Sequence, residues 1–133
     1  DAINATIPGN SVEVTSYNQV VLLTGQVISS DNKSKAEAMA LQVPGVKNVY
    51  NYIEVGKSQS ASQTSKDAYL TSAIKSNMLF SKGVSSNDVK VVTTNSVVYL
   101  MGDVDSYQAK KMTKAASEVD GVKHVVTLFN YVN

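Results

Sequence analysis

The chain has no cysteine and no tryptophan, one histidine, two prolines and, although it carries twelve basic residues, no arginine. Without cysteine there are no disulfides and no thiolate sites for zinc or iron–sulfur clusters. The single histidine, His124, has no second histidine or cysteine to join in a metal site or a nucleophilic relay, and it reads as a solvated residue at a strand start. Lysine without arginine removes the planar fork used for bidentate guanine and phosphate contacts. Nucleic acid is therefore not an expected partner, whereas scattered lysines suit a diffuse attraction to an anionic surface. No apolar run approaches the roughly 20 residues of a membrane-spanning helix. Hydrophobic residues make up 43% and charged residues 17%, as in a folded domain.

What the chain does have is a repeat. Val20-Val21-Leu22-Leu23-Thr24-Gly25-Gln26-Val27 returns, 77 positions later, as Val97-Val98-Tyr99-Leu100-Met101-Gly102-Asp103-Val104. Gly45-Val46-Lys47-Asn48-Val49 returns, 76 positions later, as Gly121-Val122-Lys123-His124-Val125. Two copies of one small unit thus differ by one residue between these landmarks, and each is near the lower size limit for a self-supporting core. The small polar run from Gly56 to Ser65 suggests units at 1–56 and 66–133 joined by a flexible linker over 57–65. Residues 1–56 carry three lysines against five acids, or −2, while 57–133 carry nine against six, or +3.

The patterns predict an α+β protein. In the second unit, Thr64 and Asp67 match a capping box and lead into a helix over 66–80 with Leu70, Ala73, Ile74, Asn77 and Met78 on one stripe. A hairpin follows, with Val89 and Val91 on its first strand, a turn at Thr94-Asn95-Ser96 and a second strand over 97–104. A helix capped by Asp105 or Ser106 carries Ala109, Met112, Ala116 and Val119, and crosses over to a parallel last strand at 123–132. The first unit predicts strands near 11–17, 20–28 and 47–55 and a helix over 31–43. Its own first helix is largely missing, with only Asp1 to Ile7 as a remnant before Pro8-Gly9.

Several residues invite chemistry and are explained more simply by structure. Gly56-Lys57-Ser58 lacks the earlier glycine of a phosphate loop. Asp103 and Asp105 flank a helix start, where capping accounts for them, and no Gly-x-Ser-x-Gly elbow accompanies the serines. Gly25 and Gly102, each near a strand end, read as structural glycines that allow close backbone approach. Lys110, Lys111 and Lys114 fit the wet face of a helix. The helix over 66–80 is different: Tyr69 and Phe80 share one edge of its apolar stripe, Leu79 points away from the core, and Lys66, Lys75 and Lys82 lie close enough to meet anionic headgroups. Against that stands the plain alternative that Tyr69 and Phe80 fill gaps at the core edge and the lysines are only solvated.

Asp67-Ala68-Tyr69-Leu70-Thr71-Ser72, Val49-Tyr50-Asn51, Val98-Tyr99-Leu100-Met101-Gly102 and Gly121-Val122-Lys123 together resemble the BON domain, and the pair is similar to dual-BON-domain lipoproteins of the bacterial outer membrane. The resemblance implies two αββαβ units, each with a three-stranded mixed sheet and helices on one face. It implies no catalysis, no metal and no cofactor. It further implies a periplasmic protein held at the outer membrane by an N-terminal lipid absent from this chain, supporting membrane integrity. The expected ligand is anionic phospholipid of the phosphatidylglycerol type, bound by the first helix of the second unit. The residues so implicated are Lys66, Tyr69, Leu70, Ala73, Lys75, Ser76, Leu79, Phe80 and Lys82. A periplasmic adaptor that binds other envelope proteins is the alternative.

Overall fold

A computed structural model of the chain describes residues 11–80 and 89–132. The chain divides into two units between Gln59 and Ser60. In the first, β1 (Ser11–Tyr17) and β2 (Val20–Val27) form an antiparallel hairpin in register from Ser11↔Gln26 to Tyr17↔Val20. Its turn residues Asn18 and Gln19 take φ of 48° and 69°, the left-handed pair that lets a two-residue turn follow the twist of the strands. Helix α1 (Ser30–Leu41) then crosses over, and β3 (Asn48–Asn51) and β4 (Glu54–Val55) lie parallel to β2.

The single strand expected over 47–55 is thus two pieces. Both keep one register on β2, with Leu23 opposite Asn51 and Gln26 opposite Glu54, so the edge is interrupted without being shifted. Asn51 stands at the break. Its amide donates to the Lys33 carbonyl at 3.0 Å and its Oδ1 accepts the Ile53 N–H at 3.2 Å, while the next N–H, that of Tyr52, still donates to the Leu23 carbonyl of β2 at 2.9 Å. Ile53 points inward at the gap and is 1% exposed.

The second unit runs α2 (Ala61–Leu79), β5 (Lys90–Thr94), β6 (Val97–Val104), α3 (Ser106–Ser117) and β7 (His124–Tyr131). Its sheet is ordered β5-β6-β7, with β5 antiparallel and β7 parallel to the central strand. The turn residues Asn95 and Ser96 repeat the left-handed pair, at 52° and 64°. The one-residue difference between the copies falls where the central strand enters the crossover helix. Ile28 and Ser29 separate β2 from α1, whereas Asp105 alone separates β6 from α3. Ser29 caps α1 through its Oγ, and Asp105 and Gln108 form a reciprocal capping box on α3. The extra Ile28 is left exposed.

Two expectations are corrected here. Helix α2 starts at Ala61 with Ser60 as its cap, so the polar run assigned to a linker over 57–65 is helical from residue 61. Asp67 is therefore not part of a capping box with Thr64; it lies well inside the helix and is buried. The remnant expected over residues 1–7 lies outside the described residues. Each unit has its own core: Val21, Leu23 and Ala40 are among the buried residues of the first, and Ile74, Leu100 and Met112 of the second. Leu22, Tyr99 and Met101, on the other faces of the central strands, are buried as well, as strands apolar on both sides require.

Gly25 is held at φ +115°, and a Cβ there would run into the Ser11 carbonyl oxygen of β1. Gly45, at φ +88°, has open space around it. Gly102 is buried in β6 opposite Phe129. Gly45→Ala is expected to cost about 1 kcal/mol for its left-handed backbone alone, and Gly25→Ala about 3 kcal/mol or more because β1 must also move. Urea unfolding of the two variants checks this, and equal losses would contradict the close approach at Gly25.

Candidate functional site

The long helix of the second unit is apolar on two sides. Ser60 Oγ accepts the Gln63 N–H at 3.1 Å to start it, and from there Asp67, Leu70, Ile74 and Met78 form a buried stripe. At 100° per residue Tyr69 and Phe80 fall within about 20° of each other on the outer half of the helix, with Leu79 beyond the intervening serines. Tyr69 is 67% exposed, Leu79 68% and Phe80 88%. Ser65, Ser72 and Ser76 occupy the ridge between these apolar groups and are exposed. Lys66 and Lys75, also exposed, stand on opposite flanks of that face.

The rotation of α2 is set from within. Asp67 Oδ1 accepts the Ser96 N–H and the Gln63 side-chain amide, each at 2.9 Å, and Oδ2 accepts the Asn95 N–H at 2.9 Å. The left-handed turn between β5 and β6 exposes two successive N–H groups on one side, and a carboxylate on the helix stripe receives both. Gln63 also donates to Ser96 Oγ, and Thr71 Oγ1 donates to Thr93 Oγ1. One turn from the end, the Asn77 amide donates to the Ala115 carbonyl of α3 at 2.8 Å. The helix is thus pinned to the hairpin near its start and to α3 near its end.

Of the residues the sequence implicates, the structure brings Tyr69, Leu79 and Phe80 to the surface together with Lys66, Lys75 and Ser76, and leaves Ala73 half-buried. Leu70 is corrected: at 1% exposure it is core, supporting the face from inside. Lys82 lies outside the described residues. Asp67, expected in a capping box, is instead the residue that orients the helix. Its spacing of 3, 7 and 11 to Leu70, Ile74 and Met78, an acid on an apolar stripe, is the signal that identifies it once the helix begins at Ala61.

Elsewhere, Asp103 accepts from the Asn130 amide and Asp105 caps α3, so the two carboxylates serve separate structural bonds. His124 is exposed at the start of β7. Lys111 Nζ lies 5.5 Å from the Tyr107 ring centroid, while Lys110 and Lys114 are exposed. Among the described residues no group of three or more His, Asp or Glu side chains is placed to hold a metal, and no helix is long and apolar enough to cross a membrane.

Comparison with known proteins adds sequence relatives to this geometry. A family model for the BON domain matches residues 1–57 and again 66–133. The chain is 43% identical over 122 residues to the outer membrane lipoprotein DolP of Haemophilus influenzae, covering 92% of this chain and 63% of that protein. It is 36% identical to a 21 kDa hemolysin of Actinobacillus pleuropneumoniae, covering 91% and 62%, and 37% identical to osmotically-inducible protein Y of Escherichia coli, covering 90% and 61%. The chain therefore spans less than two thirds of the length of these relatives.

Asp67→Ala would leave the turn N–H groups of Asn95 and Ser96 without their acceptor, at a cost of about 3 kcal/mol. Chemical unfolding of the second unit is expected to show that loss, and a change below about 0.5 kcal/mol, as at an ordinary surface position, would contradict the pinning of α2 by this carboxylate.

Proposed function

The chain belongs to the BON-domain family, and from that premise we propose that it is a non-catalytic protein of the bacterial envelope that docks on anionic phospholipid through the outer face of α2. The observation that carries this reading is the exposure of Tyr69, Leu79 and Phe80 on a helix whose buried stripe is already complete. The names of two relatives, an outer membrane lipoprotein and an osmotically inducible protein, support an envelope setting. These three large apolar side chains lie mostly in water, and an apolar patch rimmed by lysines matches a headgroup interface.

The magnitudes favour a reversible contact. Each lysine contributes about 1 kcal/mol at an anionic surface, and full burial of a Leu or Phe side chain gives about 1.5–3 kcal/mol. Lys66 and Lys75 with Leu79 and Phe80 thus supply roughly 5–8 kcal/mol before ordering costs, which corresponds at best to micromolar binding. Such a helix samples a surface and needs tethering or several contacts to stay there. Tyr69, with an apolar ring and a polar tip, suits the boundary between headgroups and acyl chains.

Co-sedimentation with vesicles tests this. Binding is expected to vesicles containing phosphatidylglycerol, to weaken with added salt, and to fall about tenfold in Tyr69→Glu, where a charge enters the apolar face. Equal binding to purely zwitterionic vesicles, or unchanged binding by Tyr69→Glu, would sink the proposal.

A further inference from the structure

The last strand of unit two is a sheet edge. Among the described residues β7 pairs with β6 on one side and with no strand on the other, so it presents a row of N–H and C=O groups to any strand that approaches. The Val132 N–H donates to the Val104 carbonyl of β6, and by the alternation of a strand the N–H groups of Thr127, Phe129 and Tyr131 point away from β6. Outside that ladder no main-chain group of residues 125–129 makes a hydrogen bond among the described residues. Sheet edges are commonly guarded by lysine, proline or a bulge, yet residues 125–131 hold no proline and no charged side chain. Val125, Val126, Leu128 and Phe129 are only half-buried, on both faces of the strand.

Beside this edge runs a groove of about 660 Å³ between β7 and α3, lined by Lys110, Lys114, Thr127 and Tyr131 among others and by no acidic side chain. Both lysines are exposed, and neither is held in an ion pair among the described residues. Unit one has no counterpart. Along the repeat Lys110 and Lys114 correspond to Ser34 and Ala38, and Ala109 and Thr127 correspond to Lys33 and Asn51. In unit one the Asn51 amide straps the edge to the helix through the Lys33 carbonyl. In unit two Thr127 makes no such bond, and the Ala109 carbonyl accepts from Thr113 Oγ1 within its own helix at 2.7 Å. One groove is bridged by a side chain, and the other is open and basic.

We propose that β7 accepts an extended acidic segment of a partner protein as a fourth strand of the unit-two sheet. Val125 and Phe129 pack toward the core on the α3 side of β7, and Thr127 and Tyr131 line the groove, so alternate residues of an added strand enter that groove as well. Lys110 and Lys114 lie one turn apart, about 6 Å along the helix axis, and alternate residues of a strand are about 6.7 Å apart. Acids two positions apart on the segment therefore meet both lysines, while the residues between them lie beside Val126 and Leu128 and are apolar. A row of main-chain donors and acceptors next to two cations selects a polypeptide over other polyanions, which have no ladder to offer. This site is independent of lipid docking by α2.

The test uses a fluorescently labelled ten-residue peptide alternating valine and glutamate as the probe, with the full 133-residue chain titrated into it and anisotropy followed. Saturable binding is expected with a Kd of about a hundred micromolar. It should weaken about tenfold when Lys110→Glu and Lys114→Glu are combined, and return when that variant meets the same peptide with lysine in place of glutamate. A peptide with N-methylated amides keeps the charge but cannot form the ladder, and it should not bind. Amide exchange at Thr127, Phe129 and Tyr131 should slow in the complex. No saturable binding, equal binding of the N-methylated peptide, or protection confined to residues outside β7 overturns the proposal. So does sedimentation of the free chain as a dimer in which those three amides are already protected, because the edge then belongs to a second copy.

Discussion

The second unit is organised around one carboxylate. Asp67 lies on the buried stripe of α2 and receives three donors, two of them the N–H groups of the Asn95-Ser96 turn. Burying a carboxylate without donors would be strongly unfavourable, and leaving two turn N–H groups unpaired would be unfavourable too, so neither the turn nor the helix is well satisfied alone. Their mutual satisfaction fixes how α2 is rotated about its axis. Leu70, Ile74 and Met78 follow Asp67 inward, and Tyr69, Leu79 and Phe80 are thereby committed to the outside. The outward apolar face is a consequence of the inward polar bond.

The two copies share this frame and use it differently. Both hairpins turn through a left-handed pair and both crossover helices are twelve residues long. Unit one departs at its edge, which is interrupted between β3 and β4. Unit two keeps a continuous eight-residue edge in β7. An interrupted edge is a poorer template for added strands than a continuous one. Such differences between copies carry more functional information than the repeat itself.

Much of the fold is legible in the residues. The short apolar runs within Val20–Val27 and Val97–Val104, and the stripe of Ala109, Met112 and Ala116, lead to β2, β6 and α3 because burial on one or both faces dominates their energetics. The start of α2 is less legible, since Ser60 to Ser65 has no apolar period and is helical through its cap and the tertiary hold on Gln63 and Asp67. The Asn51 side chain at the break bonds the Lys33 carbonyl, a partner 18 positions away that no local pattern contains. At the candidate site Leu79 was legible as pointing away from the core, while Tyr69 and Phe80, read as one edge of the apolar stripe, left surface exposure and core filling both open until the packed unit exposed them. Leu70 was legible as a stripe residue, and its place among the lipid-facing residues came only from the family resemblance, whereas the packed unit buries it.

The account rests on α2 meeting the membrane by its outer face. Paramagnetic broadening of amide signals by a spin label carried on the headgroups of phosphatidylglycerol-containing nanodiscs measures that orientation directly. The account predicts strongest broadening at Leu79 and Phe80, clear broadening at Tyr69, and none along α1 or β3. Broadening centred on unit one, or spread evenly over the surface of unit two, would contradict it.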